Sequence, residues 1–398
     1  VHDLSDLDRI GIQLRNIGNV IQMSSMVVEQ SALPSIGTVV HVTTAGQKCG
    51  IGEYTKSSNH EIQQQGGSSI VNTCKTKKNG LPEKIGRYPS YAGWFYDDEK
   101  YVDSHFSVDL HDLIKGFNPD KIVIQYHPAF YSIEVLSGFV DGCLSHGFSV
   151  VIDIHKFQVD QLPQLRSLVN RGVVVAVHGK SEQAKAVQLN LEILRSPIGL
   201  DVKFPSTRRS IFNRDWIAAP PTLVTTGFVR KHKGIRTVIN ALSEVQKYYP
   251  RARLLIQCAE YPSDDSLEEI RACRNLISEL GLGEFVDFDI DFLEKETVFE
   301  KISTADLALL AYENSEEGGS AAVNDCFSVA LPVLVSPAKI FEDVRHVAMC
   351  VDGDFLAWSR AVLSVLNSPA QYADMVNAAE EYALLNSWRN TVKIIFSI

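Results

Sequence analysis

Two apolar stretches separated by a glycine-containing polar segment constrain this chain more than any other feature. Residues 308–311 and 331–335 are apolar throughout, which is typical of parallel strands covered on both faces. Between them, residues 317–320 read Glu-Gly-Gly-Ser, and a helical pattern begins at Ala321. This order predicts a strand, a tight turn, a helix and a second parallel strand, and therefore an α/β fold.

The turn at residues 317–320 is predicted to bind an anion. Glycine lets a ligand approach the backbone closely, and the first turn of a helix leaves N–H groups unpaired. Those groups and the helix dipole suit a diphosphate. Asp325 follows Glu317 by about two helical turns, so we predict that both carboxylates face one cleft.

This segment resembles the donor-site signature of the retaining GT-B glycosyltransferases of family four. In that signature, two acidic residues are separated by seven others and followed by a small residue and Pro-Val. Glu317 and Asp325 stand at the acidic positions, although Asp325 replaces the usual Glu. At the closing positions, Ala330 replaces the usual Gly and is followed by Pro332-Val333.

Two further loops carry the resemblance. A Gly-rich turn follows the first predicted strand, and its Gly50 and Gly52 would approach the donor phosphates or the acceptor. In the second half of the chain, Lys233 matches the family's diphosphate-binding Lys. The family's neighbouring Arg is Phe228 here, and we predict that Arg230 supplies the second cation.

Three predicted strands of the first half end in a histidine, namely His127, His155 and His178. The carboxyl ends of parallel strands meet at the edge where open α/β sheets bind ligands. By the resemblance, His155 matches a histidine near the donor phosphates. His155 and Glu317 are therefore the catalytic candidates.

The resemblance implies a GT-B architecture, in which two Rossmann-like domains with parallel sheets face a cleft. A length of 398 residues suits two cores. We predict a helical segment at residues 1–36, an acceptor domain at 37–205, a donor domain at 206–385 and a final helix at 386–398 that crosses back to the first domain.

The predicted N-terminal helix carries a short heptad pattern of apolar residues. Either it packs on its own domain, or it forms a coiled-coil seam for self-association or for attachment to an upstream domain. The chain opens with Val1 rather than Met, so we expect it to belong to a longer polypeptide.

Residues 74–106 fit no sheet element and are predicted to form a long loop. The loop is rich in basic and aromatic residues. Two interpretations stay open: its aromatic rings stack on sugars while its cations steer an anionic acceptor, or it is a surface excursion pinned by its aromatic residues.

Composition excludes several classes of function. A net charge of -10 and a pI of about 5.6 lack the basic character of a nucleic-acid binder. Seven cysteines without a Cys-x-x-Cys pair favour a reduced, cytoplasmic location, either free or at the inner face of the membrane. The alternating Asp287, Asp289 and Asp291 are interpreted as the wet face of an edge strand, and no metal site is predicted.

The predicted reaction is a retaining transfer from a UDP- or GDP-linked sugar to a glycan or lipid-linked glycan, in cell-surface polysaccharide synthesis, without a metal or another cofactor. By the resemblance, Glu317 would hold the donor sugar and Asp325 the ribose. Lys233 and Arg230 would stabilise the leaving group. The other donor-binding candidates lie in the two Gly-rich turns: Gly50, Gly52, Gly318, Gly319 and Ser320.

Two alternatives stay open at this level. The departures at Phe228, Asp325 and Ala330 are compatible with a non-catalytic module of the same fold that binds glycan or a partner enzyme. A GT-B glycan phosphorylase that uses pyridoxal phosphate is the third class.

Overall fold

The computed structural model describes most of the chain after residue 36. The described ranges are 37–44, 50–75, 84–85, 88–97, 100–101, 118–128, 130, 132–207, 209–313 and 319–396. The helix predicted at residues 1–36 lies outside them, as do Glu317 and Gly318.

The first sheet has nine strands in the order β3-β4-β2-β1-β6-β7-β8-β9, with β5 paired to β4. The two short strands β3 and β5 are antiparallel to β4, and every other pair is parallel. The strands are Thr38–Thr43 (β1), Ser68–Lys75 (β2), Lys84–Ile85 (β3), Tyr88–Asp97 (β4), Lys100–Tyr101 (β5), Lys121–Tyr126 (β6), Ser149–Ile154 (β7), Val174–Val177 (β8) and Leu194–Arg195 (β9). Its helices are Gly50–Gln64 (α1), Ile133–Ser145 (α2), Leu162–Asn170 (α3) and Lys180–Gln188 (α4).

The second sheet has six parallel strands in the order β12-β11-β10-β13-β14-β15. Its strands are Thr222–Val229 (β10), Arg253–Glu260 (β11), Val286–Asp289 (β12), Leu307–Leu310 (β13), Val333–Val335 (β14) and Met349–Cys350 (β15). Its helices are Ile235–Val245 (α5), Asp264–Glu279 (α6), Lys295–Ser303 (α7), Ala321–Ser328 (α8), Phe355–Leu366 (α9) and Pro369–Leu385 (α10), and Trp388–Phe396 (α11) follows. The strand order reverses between β10 and β13, which makes this the point where such sheets bind ligands.

The apolar strands are covered on both faces, as the sequence predicts. In β13, Leu309 packs into a core that includes α5 and α9. The next residue, Leu310, packs into a second core that includes α8 and α10. Because neighbouring side chains of a strand point to opposite faces, a strand between two layers of helices must be apolar throughout. The α/β fold with two largely parallel sheets is therefore confirmed.

The prediction of a structureless loop at residues 74–106 is wrong, because β4 forms a ten-residue strand parallel to β2. Its sequence is rich in aromatic residues, which favour strands, but it also contains Pro89 and Gly93. Both residues normally interrupt strands. Here Pro89 pairs with the two-residue strand β3, and the register shifts opposite Gly93 between Thr73 and Cys74. A bulge at this point accommodates the glycine.

Helix α8 ends at a residue in the left-handed region. Ala330 has φ 53° and donates its N–H to the Phe327 carbonyl, while the Leu331 N–H bonds to the Cys326 carbonyl. This pair of bonds is the Schellman arrangement, in which Gly is the usual residue. The small closing residue of the sequence signature therefore ends helix α8. Ala330 takes the left-handed conformation that this position needs, with a strained φ.

Two crossing segments of the chain meet at Leu200. Its N–H bonds to the Asn386 carbonyl, and its carbonyl accepts from Trp388 N–H, each at 3.0 Å. The buried Trp388 side chain then packs with Val39 of β1 and Tyr54 of α1. Helix α11 is therefore anchored on the helix and strand that open the first sheet. In the described part of the chain, no helix has both the length and the apolar character needed to cross a bilayer.

Truncating Trp388 should destabilise the protein strongly. Because the indole is buried against β1 and α1, Trp388→Ala should lower the free energy of unfolding by about 3–5 kcal/mol. Denaturant unfolding measures the change. The control is Leu385→Ala, whose side chain is 65% exposed and whose loss should cost within about 0.5 kcal/mol. Equal effects of the two substitutions would contradict the packing described for α11.

Candidate functional site at the carboxyl edges of the two sheets

The loops that follow β10 and β13 touch through their backbones. Gly234 has φ 65°, and a Cβ added to it would overlap the Ala311 carbonyl oxygen. Only glycine satisfies both constraints without strain. One step further along, the Glu313 N–H donates to the His232 carbonyl at 2.7 Å. The loop that contains Lys233 is thereby fixed beside the segment that leads toward residues 317–320.

Lys233 lies at the switch point on an aromatic platform. Its Nζ is 4.0 Å from the centre of the Tyr312 ring, a distance at which a cation is attracted to the ring face. Tyr312 is buried, and its hydroxyl donates to the Thr226 carbonyl of β10 at 3.4 Å. The ring thus spans the gap between β10 and β13 and positions the ammonium group at the carboxyl edge of the sheet.

Arg230 is not brought to the same side as Lys233. Its guanidinium lies 3.4 Å from the Asp265 carboxylate and 4.7 Å from the centre of the Tyr261 ring. Tyr261 and Asp265 follow β11, which flanks β10 on the side opposite to β13. The two cations that the sequence grouped together therefore diverge across β10.

Phe228 joins an aromatic cluster on the β11 side. Its ring meets the Tyr261 ring edge-on at 5.5 Å and stacks with the Phe292 ring at 6.0 Å. The position that the resemblance assigns to a phosphate-binding Arg is thus apolar. Beside it, Asp289 of the edge strand β12 pairs with Lys301, and Asp287 and Asp291 are exposed.

Gly319 and Ser320 lie at the amino terminus of α8, facing the first sheet. A Cβ on Gly319 would lie 3.3 Å from the Ile198 side chain, and the Asn324 amide donates to the Ile198 carbonyl at 3.2 Å. Ser320 caps α8 by accepting from Val323 N–H. A pocket opens at this contact and is lined from both sheets, by His178, Arg195, Ile198, Gly319, Ser320, Asn324 and Asp343 among others.

Asp325 is engaged by a lysine that the sequence reading did not connect with it. Lys295 Nζ of α7 lies 3.5 Å from Asp325 and 2.8 Å from Asp201. Burial raises the pKa of Asp325 to about 6, against the opposing pull of Lys295 and with further upward contributions from Asp201 and Glu53. The predicted ribose-binding carboxylate is thus part of a group of charges.

The first turn of α1 approaches the same group of charges. Gly50 is exposed and Gly52 is buried in this turn, and Glu53 follows them. Glu53 pairs with Lys56 at 2.7 Å, yet its charge also affects the pKa values of Lys295 and Asp325. The charge that follows the predicted glycine turn therefore acts on the group that contains Asp325.

His155 lies at the carboxyl edge of the first sheet with a second histidine. His155 Nδ1 and His178 Nε2 are 3.2 Å apart, and the Tyr54 ring lies over both imidazoles, 5.1 and 5.3 Å from their centres. Burial, followed by the charges of His178 and His127, holds the pKa of His155 well below its ordinary value. Asp153 is fully buried beneath the pair, and burial raises its pKa.

Several of these residues could not be predicted from the sequence because they come from distant segments of the chain. Tyr312 follows an apolar strand directly, and Asp153 lies within another strand, where no motif marks it. Lys295 and Asp201 carry no motif. The signals for the histidines were their shared place at strand ends and, for His155, the family resemblance; the structure places His127, His155 and His178 directly after three neighbouring strands.

No family model matches the chain, and no curated protein matches it in sequence. Solved structures do. The chain is similar to sucrose-phosphate synthase from Thermosynechococcus elongatus, with a TM-score of 0.67, 16% identity, and 91% of this chain and 98% of that chain covered. It is also similar to HepE from Anabaena in complex with UDP and glucose, with a TM-score of 0.64, 13% identity, and 90% of this chain and 98% of that chain covered. For a glycosyltransferase from Rickettsia africae ESF-5, the TM-score is 0.68 and the identity 12%, with 90% of this chain and 97% of that chain covered. These likenesses show that the chain has the GT-B fold.

Neutralising Asp325 should stabilise the protein above pH 6. Because its folded-state pKa is raised from 3.8 to about 6, the folded state binds more protons than the unfolded chain, and stability falls as pH rises through this window. Asp325→Asn should remove that loss and raise the free energy of unfolding at pH 7 by about 1–2 kcal/mol, less than the full shift implies, because the side chain is 22% exposed.

Denaturant unfolding of Asp325→Asn and wild type at pH 4 and pH 7 measures this effect. The two proteins should differ little at pH 4 and clearly at pH 7. The matched control is Asp287→Asn on exposed strand β12, which should change stability within about 0.5 kcal/mol at both values. Destabilisation by Asp325→Asn at pH 7 would show that the ion pair with Lys295 outweighs burial.

Proposed function

We propose that this protein is a glycosyltransferase that moves a sugar from a nucleotide-sugar donor to a glycan acceptor. The observation that carries the proposal is Lys233 on the Tyr312 ring, beside the chain segment that leads to Glu317. A cation at the switch point of a GT-B fold suits a diphosphate, which gathers negative charge as it departs. The solved structure of HepE contains UDP and glucose, so UDP-glucose is the first donor to test.

The donor would lie along the second sheet. Lys233 and the backbone at Gly319 and Ser320 would bind the diphosphate, because the amino terminus of α8 adds the positive end of a helix dipole. Glu317, with Gly318 beside it, would hold the sugar hydroxyls. Arg230 would act only after leaving Asp265.

Asp325 would bind the ribose together with Lys295 rather than alone. The carboxylate accepts from hydroxyl groups and the ammonium donates to them, so the pair can bind a diol. Asp325 has a shorter side chain than the family's Glu, and Lys295 of α7 would supply the additional contact.

The first sheet would present the acceptor. His155, with its depressed pKa, would remain neutral at pH 7, and its ring would border the site of the sugar or the acceptor hydroxyl. Gly50 and Gly52 would allow close approach of the acceptor or the donor phosphates. A glycan or a lipid-linked glycan suits the open crevice, and we assign the reaction to cell-surface polysaccharide synthesis at the cytoplasmic side.

Retention would follow from front-face attack assisted by the departing phosphate, with positioning and charge stabilisation supplying the rate. We propose that the diphosphate leaves without a metal ion, with Lys233 and the α8 amino terminus taking that role.

A non-catalytic GT-B module is the second candidate. It is favoured by two observations: Arg230 is bound to Asp265, and Asp325 is bound to Lys295. A module of this kind would bind glycan or a partner enzyme in the same crevice without consuming a nucleotide sugar.

Removing the Lys233 charge should weaken nucleotide binding. A charge-assisted bond to phosphate contributes about 1.5–3 kcal/mol, so Lys233→Gln should bind UDP about 10–100-fold more weakly in calorimetric titration. Lys231→Gln is the control, because Lys231 belongs to the same turn and is exposed. Unchanged UDP affinity in Lys233→Gln would remove the main support for the donor site.

Changing Glu317 should separate turnover from nucleotide binding. Since Glu317 would contact the sugar and not the nucleotide, Glu317→Gln should slow donor consumption about 100-fold or more and leave UDP affinity almost unchanged. The adjacent Glu316→Gln is the control and should retain turnover. If wild type binds UDP but consumes none of a panel of UDP- and GDP-sugars with glycan acceptors, the module interpretation replaces the enzyme.

A further inference from the structure

The two facing histidines of the first sheet are each tied at their outer nitrogen to an oxygen that can only accept. His178 Nδ1 lies 2.8 Å from the Ser196 carbonyl oxygen, so this nitrogen must donate a proton. His155 Nε2 lies 2.6 Å from Gln125 Oε1, so this nitrogen must donate as well. A neutral imidazole has one N–H, and in each ring the outer contact uses it.

The Gln125 amide has His155 at its oxygen and the Asp153 carboxyl near its nitrogen. Gln125 of β6 and Asp153 of β7 are register partners in adjacent parallel strands. The Gln125 side chain lowers the pKa of the Asp153 carboxyl, as an amide N–H₂ group turned toward a carboxylate does. Reversing the amide would place its oxygen against the carboxylate instead. The oxygen therefore stays on His155.

The inner nitrogens are consequently two lone pairs that face each other. His155 Nδ1 and His178 Nε2 are 3.2 Å apart, and Asp153 Oδ1 lies 3.8 Å from His178 Nε2. The Tyr54 hydroxyl and the Gln125 amide both lower the pKa of the fully buried Asp153 carboxyl, but neither reaches an Asp153 oxygen with hydrogen-bond geometry. A cation bound between the three converging atoms would satisfy their lone pairs.

We propose that Asp153, His155 and His178 bind a divalent transition-metal ion of the zinc class. Two ligands at about 2.1 Å from a tetrahedral ion are about 3.4 Å apart, close to the separation of the two inner nitrogens. The three ligand atoms lie within 4.8 Å of one another, so the carboxylate must move by roughly an ångström to reach the ligand spacing of a tetrahedral ion. Two imidazoles and one carboxylate are a donor set that suits zinc and its neighbours.

The outer contacts fit this role. Metal-binding histidines generally donate their second N–H to a carbonyl or carboxylate oxygen, which fixes the tautomer and the ring. His178 and His155 do so through Ser196 and Gln125. His178 also lines the pocket that holds Gly319 and Ser320, and His155 is only partly buried, so a fourth position is open to an oxygen ligand from that side.

Metal binding can be measured directly on the full chain, without any nucleotide sugar. Protein dialysed against EDTA is titrated with Zn²⁺ by calorimetry, and metal content is measured after gel filtration. Wild type should bind Zn²⁺ stoichiometrically. Asp153→Asn keeps the side-chain shape but removes the charge, and should weaken binding by more than the about 10–100-fold that loss of an outer partner costs. The control is His146→Gln, an exposed histidine on the same half of the chain.

A second variant keeps the test decisive if Asp153→Asn fails to fold. His155→Gln changes a partly exposed ligand and should also lose Zn²⁺. Co²⁺ added to wild type should give the visible absorption of a nitrogen- and oxygen-bound site, and His155→Gln should not. Absence of stoichiometric Zn²⁺ in wild type would mean that a shared proton joins the imidazoles, and equal binding by His155→Gln would place the ion elsewhere. Either result overturns the metal site and leaves the proposed sugar transfer untouched.

Discussion

The site depends on one close backbone contact between the loops after β10 and β13. Gly234 lies against the Ala311 carbonyl group, where a side chain would overlap, and its φ of 65° favours glycine independently. The loops cannot separate without losing the bond between Glu313 N–H and the His232 carbonyl. Lys233 is therefore held on Tyr312 by the backbone, and its direction does not depend on a flexible side chain alone.

A second group of contacts holds the end of the first sheet opposite the Lys233 side of the crevice. Ile198 receives a bond from Asn324 of α8, and Asp343 accepts from the Lys180 N–H and pairs with Arg195 at 3.1 Å. These contacts join the end of the first sheet to the helices of the second. As a result, the amino terminus of α8 and His178 border one pocket, although more than a hundred residues separate them.

The sequence predicted the fold well wherever one periodicity dominated. Residues 308–311 are apolar because β13 is covered on both faces, and no other element type explains that pattern as simply. The prediction was wrong for β4, because this strand contains Pro89 and Gly93 and depends on pairing partners that tolerate both, which its own sequence does not show. Candidate site residues were predicted from the sequence only where a motif or a strand end marked them, as at Lys233 and His155. Lys295 and Asp153 became part of a site through tertiary contacts alone.

The departures from the family signature redistribute charge along the crevice. Phe228 stands where the family has a cation, and Arg230 pairs with Asp265, so the proposed diphosphate site relies on Lys233 and the α8 amino terminus.

Toward the far end, Lys295 is shared by Asp325 and Asp201, which leaves an excess of negative charge. A ligand that carries its charge in one central diphosphate and has neutral ends fits this distribution. In the proposed donor orientation, a ligand with a further phosphate at the ribose end would meet two carboxylates and one lysine, and the desolvated Asp325 would oppose it.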